Sequence, residues 1–162
     1  MAKPDLTTYG SSLRDLGYAG QLTHEANMAD VDSKVNEGAT AIDFGIAVAR
    51  GTTSDNTCKA IAADGDTPIG ISVRLPNRPA DASGNVTYAQ RDSVPILKNG
   101  WMFAVPFENV ARGAQVLSIT AQGGKLGSTT GGAAGAGRVA VAGAYWETTT
   151  TAGQVGKLRI VQ

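Results

Sequence analysis

The sequence predicts a mainly β fold, a single-domain jelly-roll-like sandwich or barrel preceded by an extended N-terminal arm. Three observations carry this expectation. Apolar residues alternate with small or polar ones in short runs, which is the period of a strand. The runs recur at intervals of roughly ten residues between turn-forming clusters, as in sandwiches and barrels. Only 17% of the residues are charged while 21 are glycine, far from the Leu, Glu and Lys of long amphipathic helices. A length of 162 residues suits one domain with a real core.

The arm is read as residues 1–39 and the sandwich or barrel as 40–162. The arm is polar and rich in small residues (Gly10, Ser11, Ser12, Gly17, Ala19, Gly20), with no sustained period. Its apolar side chains Leu13, Leu16, Tyr18 and Leu22 need a surface to pack against, in this chain or a neighbour. They are therefore candidate protein-interface residues. Met28, Val31 and Val35 stand at i, i+3 and i+7, which predicts a short helix over 27–35.

The β domain opens with Ile42, Phe44, Ile46 and Val48 alternating with Asp43, Gly45, Ala47 and Ala49. The stretch 51–56 is turn chemistry, since Gly and Asn accept positive φ and Ser and Asp bond back to the backbone. A short strand near 58–62 leads into the turn 64–68, and Ile69, Ile71, Val73 and Leu75 alternate in the next strand. A loop with Pro76 and Pro79 precedes an edge strand at 86–90. Segments 94–97 and 101–105 flank Lys98-Asn99-Gly100, and Asn-Gly between apolar runs predicts a hairpin. A strand at 115–119 follows, then a Gly/Ala/Ser/Thr-rich surface excursion over 121–137. Strands at 139–145 and 155–161 close the domain. Trp101, Phe103 and Tyr145 are read as core. Trp146 has the opposite parity to Tyr145, which makes it a candidate exposed interface anchor, against the competing reading of a ring that covers the barrel end.

Charge excludes some partners. The 14 basic and 14 acidic side chains cancel, so the surplus that a phosphate backbone demands is missing and no direct nucleic-acid contact is expected. The balance is uneven: residues 1–81 carry 7 basic and 11 acidic groups (−4), residues 82–162 carry 7 and 3 (+4). Opposite signs would suit contacts between copies or with a partner, but uneven solvation of one domain is the simpler reading and the preferred one. The start, Met1-Ala2-Lys3-Pro4-Asp5-Leu6, has no apolar stretch of the secretory kind. No run approaches the ~20 apolar residues of a membrane span. The reading is a soluble protein made in a cytoplasm, with no membrane partner.

No catalytic constellation emerges, and the protein is read as not an enzyme, with no cofactor and no metal. His24 is the only histidine and lies in the arm without a nucleophile elbow. Cys58 is the only cysteine, so neither an intrachain disulfide nor a four-ligand zinc site can form. Asp64-Gly65-Asp66 lacks the rest of a calcium loop and reads as a turn. The pair Asp30 and Asp32 is explained by a helix N-terminus. Residues 135–140 spell G-x-G-x-x-A, but they open a strand where a dinucleotide site requires a helix.

The order of several segments resembles a known family. Gly17-Tyr18-Ala19-Gly20-Gln21-Leu22 precedes Ile42-Asp43-Phe44-Gly45-Ile46-Ala47-Val48 and then Pro68-Ile69-Gly70-Ile71-Ser72-Val73. Val94-Pro95-Ile96-Leu97, Gly100-Trp101, Gly113-Ala114-Gln115-Val116 and Gly153-Gln154-Val155-Gly156-Lys157-Leu158-Arg159-Ile160 follow. From about Gly17 to the C-terminus this succession resembles the capsid cement (decoration) proteins of tailed bacteriophages. The resemblance implies a small, largely β, often jelly-roll-like protein on the capsid outer surface of the virion. Its implied partners are the major capsid protein and other copies of itself, as a dimer or trimer, with no catalytic residues to carry over. The function it implies is structural: stabilising contacts between major capsid protein subunits. The alternative is another β-rich virion component, a tail, head–neck or adhesion module.

Overall fold

A computed structural model describes residues 17–23, 29–75, 77–78, 86–129 and 132–161. In chain order its strands are β1 (Asp30–Asn36), β2 (Ala47–Arg50), β3 (Thr57–Ala60), β4 (Pro68–Ser72), β5 (Ser93–Ala104), β6 (Gln115–Ile119), β7 (Lys125–Ser128), β8 (Arg138–Trp146) and β9 (Gly156–Ile160). A 3-10 turn, Thr120–Gln122, joins β6 to β7. The strands run β1–β3–β2–β4–β5, and β1 returns to pair with β5, closing a five-stranded barrel. From β5 a second sheet continues as β5–β9–β8–β6–β7. All pairings are antiparallel except β1 with β3. The fold is mainly β, as the alternation predicts, and its closed part is a barrel.

Two apolar clusters explain why these strands form. Ile42, Ile46, Val48, Cys58, Ala60, Tyr88, Val94 and Ile96 fill the barrel. A larger cluster lies between the barrel wall and the second sheet, where Ala47, Ala49, Ile71 and Leu97 meet Met102, Val116, Leu126, Trp146, Leu158 and Ile160. Strand β2 is buried on both faces: Val48 points into the barrel, and Ala47 and Ala49 into the second core. Its alternation is therefore one of large against small residues, and the alanines let barrel and sheet approach closely.

Asn36 anchors the polar side of the barrel. Its Nδ2 donates to the carbonyls of Thr40 and Tyr88, and its Oδ1 accepts from Gly38 N–H. A buried amide must be satisfied in this way or cost about 1–3 kcal/mol.

Several expectations are corrected. The helix at 27–35 gives way to strand β1 over Asp30–Asn36, which pairs with β3 and β5. Three apolar residues at helical spacing do not outweigh two open strand edges that satisfy a whole backbone segment. Residues 30–36, read as arm, thus belong to the barrel. The alternating run at 42–48 is not one strand, because Ile42 bridges to Tyr88 and the chain turns before β2 begins at Ala47. Gly45 takes φ 69° in that turn, with its backbone against that of Gly20 at φ 78°.

Asn99-Gly100 is not a hairpin but a bend within one 12-residue strand. Residues before it pair with β1 and β4, residues after it with β9, so the two halves never face each other. Gly100, at φ 125°, swings β5 from the barrel into the second sheet. The stretch 121–137 also holds strand β7, with Leu126 fully buried, where a surface excursion was expected.

Candidate interaction surface

Residues 20–23, within the segment read as arm, dock as a short extra strand. The far edge of β5 receives it: Gly20 N–H donates to Phe103 C=O (2.9 Å), Phe103 N–H to Gln21 C=O (2.8 Å), and Thr23 N–H to Trp101 C=O (3.2 Å). Leu22 bridges to Met102 and packs against the second core. On the other side Arg74 N–H donates to Gly20 C=O at 2.7 Å. Gly17 lies flat on the Phe103 ring, where a β carbon would come within 2.4 Å of Cγ. This edge is thereby closed to uncontrolled strand addition.

Tyr18 projects from that segment and is 62% exposed. The Arg74 guanidinium sits 4.7 Å from its ring centre and 5.5 Å from that of Phe44. Phe44 in turn meets Tyr88 edge-on at 5.2 Å, and the Tyr88 hydroxyl donates to Val73 C=O. Arg78 covers the other side of Tyr88 at 4.6 Å and pairs with Asp92. Aromatic and cationic groups thus form one continuous series from the barrel interior to the surface, each cation held over a π face. Beside them opens a cleft of about 300 Å³ lined by Ala19, Phe44, Val105, Pro106, Phe107 and Lys125. Lys125 lies 5.7 Å from the exposed Phe107 ring.

Of the other sequence candidates, Leu13 and Leu16 lie outside the described residues, as does His24. Trp146 is corrected. It is fully buried in the second core, with Nε1 donating to Gly127 C=O at 3.0 Å, and so offers no exposed anchor. Tyr145, expected in the core, is 48% exposed. The cause is a bulge: between the pairs Leu117–Ala140 and Gln115–Tyr145, β6 advances two residues while β8 advances five. The odd residue count reverses which face each later side chain takes. Arg74, Phe44, Phe107 and Lys125 were not singled out from sequence. Arg74 carried a signal, as the polar member of the run Val73-Arg74-Leu75, but nothing local brings it to Tyr18.

The ionisable groups serve structure. Glu108 forms a two-pronged pair with Arg138 (2.6 and 2.7 Å) and accepts from Ser128 N–H. The Arg138 hydrogen bond holds its carboxyl below the usual range. Asp66 is opposed by burial, yet Lys59 and the N–H groups of Ala62 and Ala63 hold it low. Asp64 reaches across to the second sheet, accepting from Gly137 N–H and Thr120 Oγ1. So Asp64-Gly65-Asp66 is a turn whose carboxylates bond to the protein itself. Burial pushes the Cys58 thiol up to about 11 and the Tyr88 phenol up to about 12. Among the described residues no three His, Cys, Asp or Glu side chains gather to hold a metal ion, and no helix is long and apolar enough to cross a membrane.

Residues 6–161 match the family described as structural cement protein (E217 gp24/Pam3 gp6). The chain belongs to this phage cement family. The match spans barrel, second sheet and the docked strand at 20–23 alike. Among solved structures, a chain of "The capsid of Myoviridae Phage XM1" superposes on 90% of this cement protein and 90% of its own length. The TM-score is 0.68 at 17% identity, so the two share a fold. No curated protein matches the chain. The cement protein's role is structural and associated with the phage capsid.

Proposed function

We propose that this cement protein binds the outer surface of the capsid, bridges neighbouring major capsid protein subunits, and does so as a dimer or trimer without catalysing any reaction. The observation that carries the reading is the family match, which extends over nearly the whole chain. The surface chemistry supports it. Tyr18 and Phe107 are large exposed aromatics, each paired with a cation, and Phe107 with Lys125 lines an apolar cleft, a composition enriched at interfaces. Residues before Gly17, with Leu13 and Leu16, would extend that contact to an adjacent subunit, and Tyr18 would anchor it.

A ligand that binds only the assembled shell stabilises it by mass action, and many copies on one particle add their effects. The test compares particles with and without the protein. Particles lacking it should release DNA at a lower temperature, and adding back the purified chain should restore the wild-type value. Cryo-electron microscopy should place density for it across the outside of the shell. Density confined to one vertex or to the tail would overturn the reading in favour of another virion component.

A further inference from the structure

The outer face of the second sheet is built unlike an ordinary solvated surface. Register places Trp101 of β5, Arg159 of β9 and Tyr145 of β8 side by side in one row. Phe103 and Lys157 form the next row, with Lys157 beside Glu147. The row on the other side ends in Val161, which is 45% exposed. No element described in the structure lies over the Trp101–Arg159–Tyr145 row, and Tyr145 and Arg159 are exposed.

The Arg159 guanidinium lies 5.4 Å from the Trp101 ring centre, and among the described residues it forms no ion pair. Stacking on indole restricts the side chain before any partner arrives, while the edge of the guanidinium keeps its N–H donors free. That is the arrangement that accepts a carboxylate through two parallel hydrogen bonds. Trp, Tyr and Arg are the residue types enriched among energetically dominant interface positions. The extra residue count around Gly143 brings Tyr145 out on this face, beside Arg159.

We propose that this row is a second capsid-docking face, besides the Tyr18–Phe107 surface, and that it receives an acidic segment of the major capsid protein, with a carboxylate on Arg159 and apolar atoms against Trp101 and Tyr145. The inference rests on the capsid-binding reading above and adds the face and the chemistry of the partner.

The experiment titrates purified protein onto mature shells that lack it and measures bound copies by co-sedimentation. Arg159→Glu should weaken binding at least tenfold, and Tyr145→Ala several-fold. Arg159→Lys should fall between wild type and Arg159→Glu, because ammonium keeps the charge but not the two-pronged geometry. Arg50→Glu, a matched reversal at an exposed barrel residue, should bind like wild type. Circular dichroism and melting temperature verify that each variant is folded. A photo-crosslinker at position 145 should attach to the major capsid protein. If wild type binds and Arg159→Glu binds equally well, the docking face is wrong while the capsid reading stands. If Arg50→Glu is weakened as much as Arg159→Glu, the effect is bulk charge and the inference falls. Crosslinking to a second copy, or to the N-terminal residues of this chain, also overturns it. Failure of wild type to bind shells would remove the capsid reading itself.

Discussion

At the scale of single residues, Gly143 decides which aromatic is inside. It adopts φ 65°, and a β carbon there would lie 1.9 Å from Val161 C=O. Left-handed backbone costs a side-chain-bearing residue about 1–3 kcal/mol, and the contact with a carbonyl adds to that. Gly143→Ala should therefore lower stability by at least ~2 kcal/mol in urea unfolding, with a change in near-ultraviolet circular dichroism from Trp146. A loss under ~0.5 kcal/mol would show that the bulge is not constrained as described. From sequence, Val139, Val141, Gly143 and Tyr145 read as one unbroken alternation, and only the glycine hinted at a bulge. Cys58 is a second case. Its thiol, buried in the barrel, is raised to about 11, so the folded state favours the protonated form. The sign follows: this contribution is intact below the unfolded-state value near 8.5 and is lost as pH rises towards 11. Tyr88 adds to it in the next window, up to about 12. Wild type should lose stability progressively above pH ~9, and Cys58→Ala should flatten the first part of that loss. Rapid reaction of native Cys58 with a thiol reagent at pH 8 would contradict its burial.

At the scale of elements, strand positions were legible where the strand carries its own run of large apolar residues and obscure where its burial is supplied by neighbours. Strand β6 matched its expected bounds because Gln115–Ile119 is a compact apolar run between turns. Strand β7 was missed because Lys-Leu-Gly-Ser offers a single large apolar residue, Leu126, and its stability comes from neighbours. One of those neighbours is Glu108, which donates no proton but accepts from Ser128 N–H and grips Arg138, so one carboxylate ties β7 to β8. Both side chains are mostly screened from solvent, 19% and 21% exposed, so the pair is worth more than a surface bridge. Glu108→Gln should cost about 1–3 kcal/mol at neutral pH. Because the folded carboxyl is held low by Arg138, that contribution is present above the ordinary carboxylate value of about 4.3. It is lost as pH falls further. Urea midpoints of wild type and Glu108→Gln should therefore converge on acidification, and a gap that stays constant from pH 7 to 3 would assign the loss to packing instead. Tyr18, Arg74, Phe44 and Phe107 were not legible as one surface for a related reason: they come from four separate segments that only the fold brings together.

At the scale of the whole molecule, the question is whether barrel and second sheet are two units or one. Two separate runs of pairing could have made two domains, and the sequence reading of an arm followed by one β domain left this division unseen. The structure argues for one cooperative unit on three grounds. Strand β5 is shared, so neither sheet is complete without the same 12 residues. The larger apolar cluster draws Ala47, Ile71 and Leu97 from the barrel wall and Leu126, Trp146 and Leu158 from the sheet, so separating them exposes both sides. Asp64, in the turn after β3, accepts hydrogen bonds from Thr120 and Gly137 at the ends of β6 and β8. Burying one core with residues of both parts makes the loss of either part cost the apolar area of the other, at roughly 25 cal/mol per Å². Thermal unfolding should accordingly be a single transition in which calorimetric and van't Hoff enthalpies agree. Ile96→Ala, inside the barrel, and Leu158→Ala, in the second core, should each move that one transition down, since a buried Leu or Ile truncated to Ala loses about 2–5 kcal/mol. Two resolved transitions, or a Leu158→Ala variant in which the barrel melts unchanged, would mean that β5 links two independent bodies. A cement protein built as one cooperative unit transmits load across its full width instead of yielding at a hinge, so this measurement bears directly on how it could reinforce a shell.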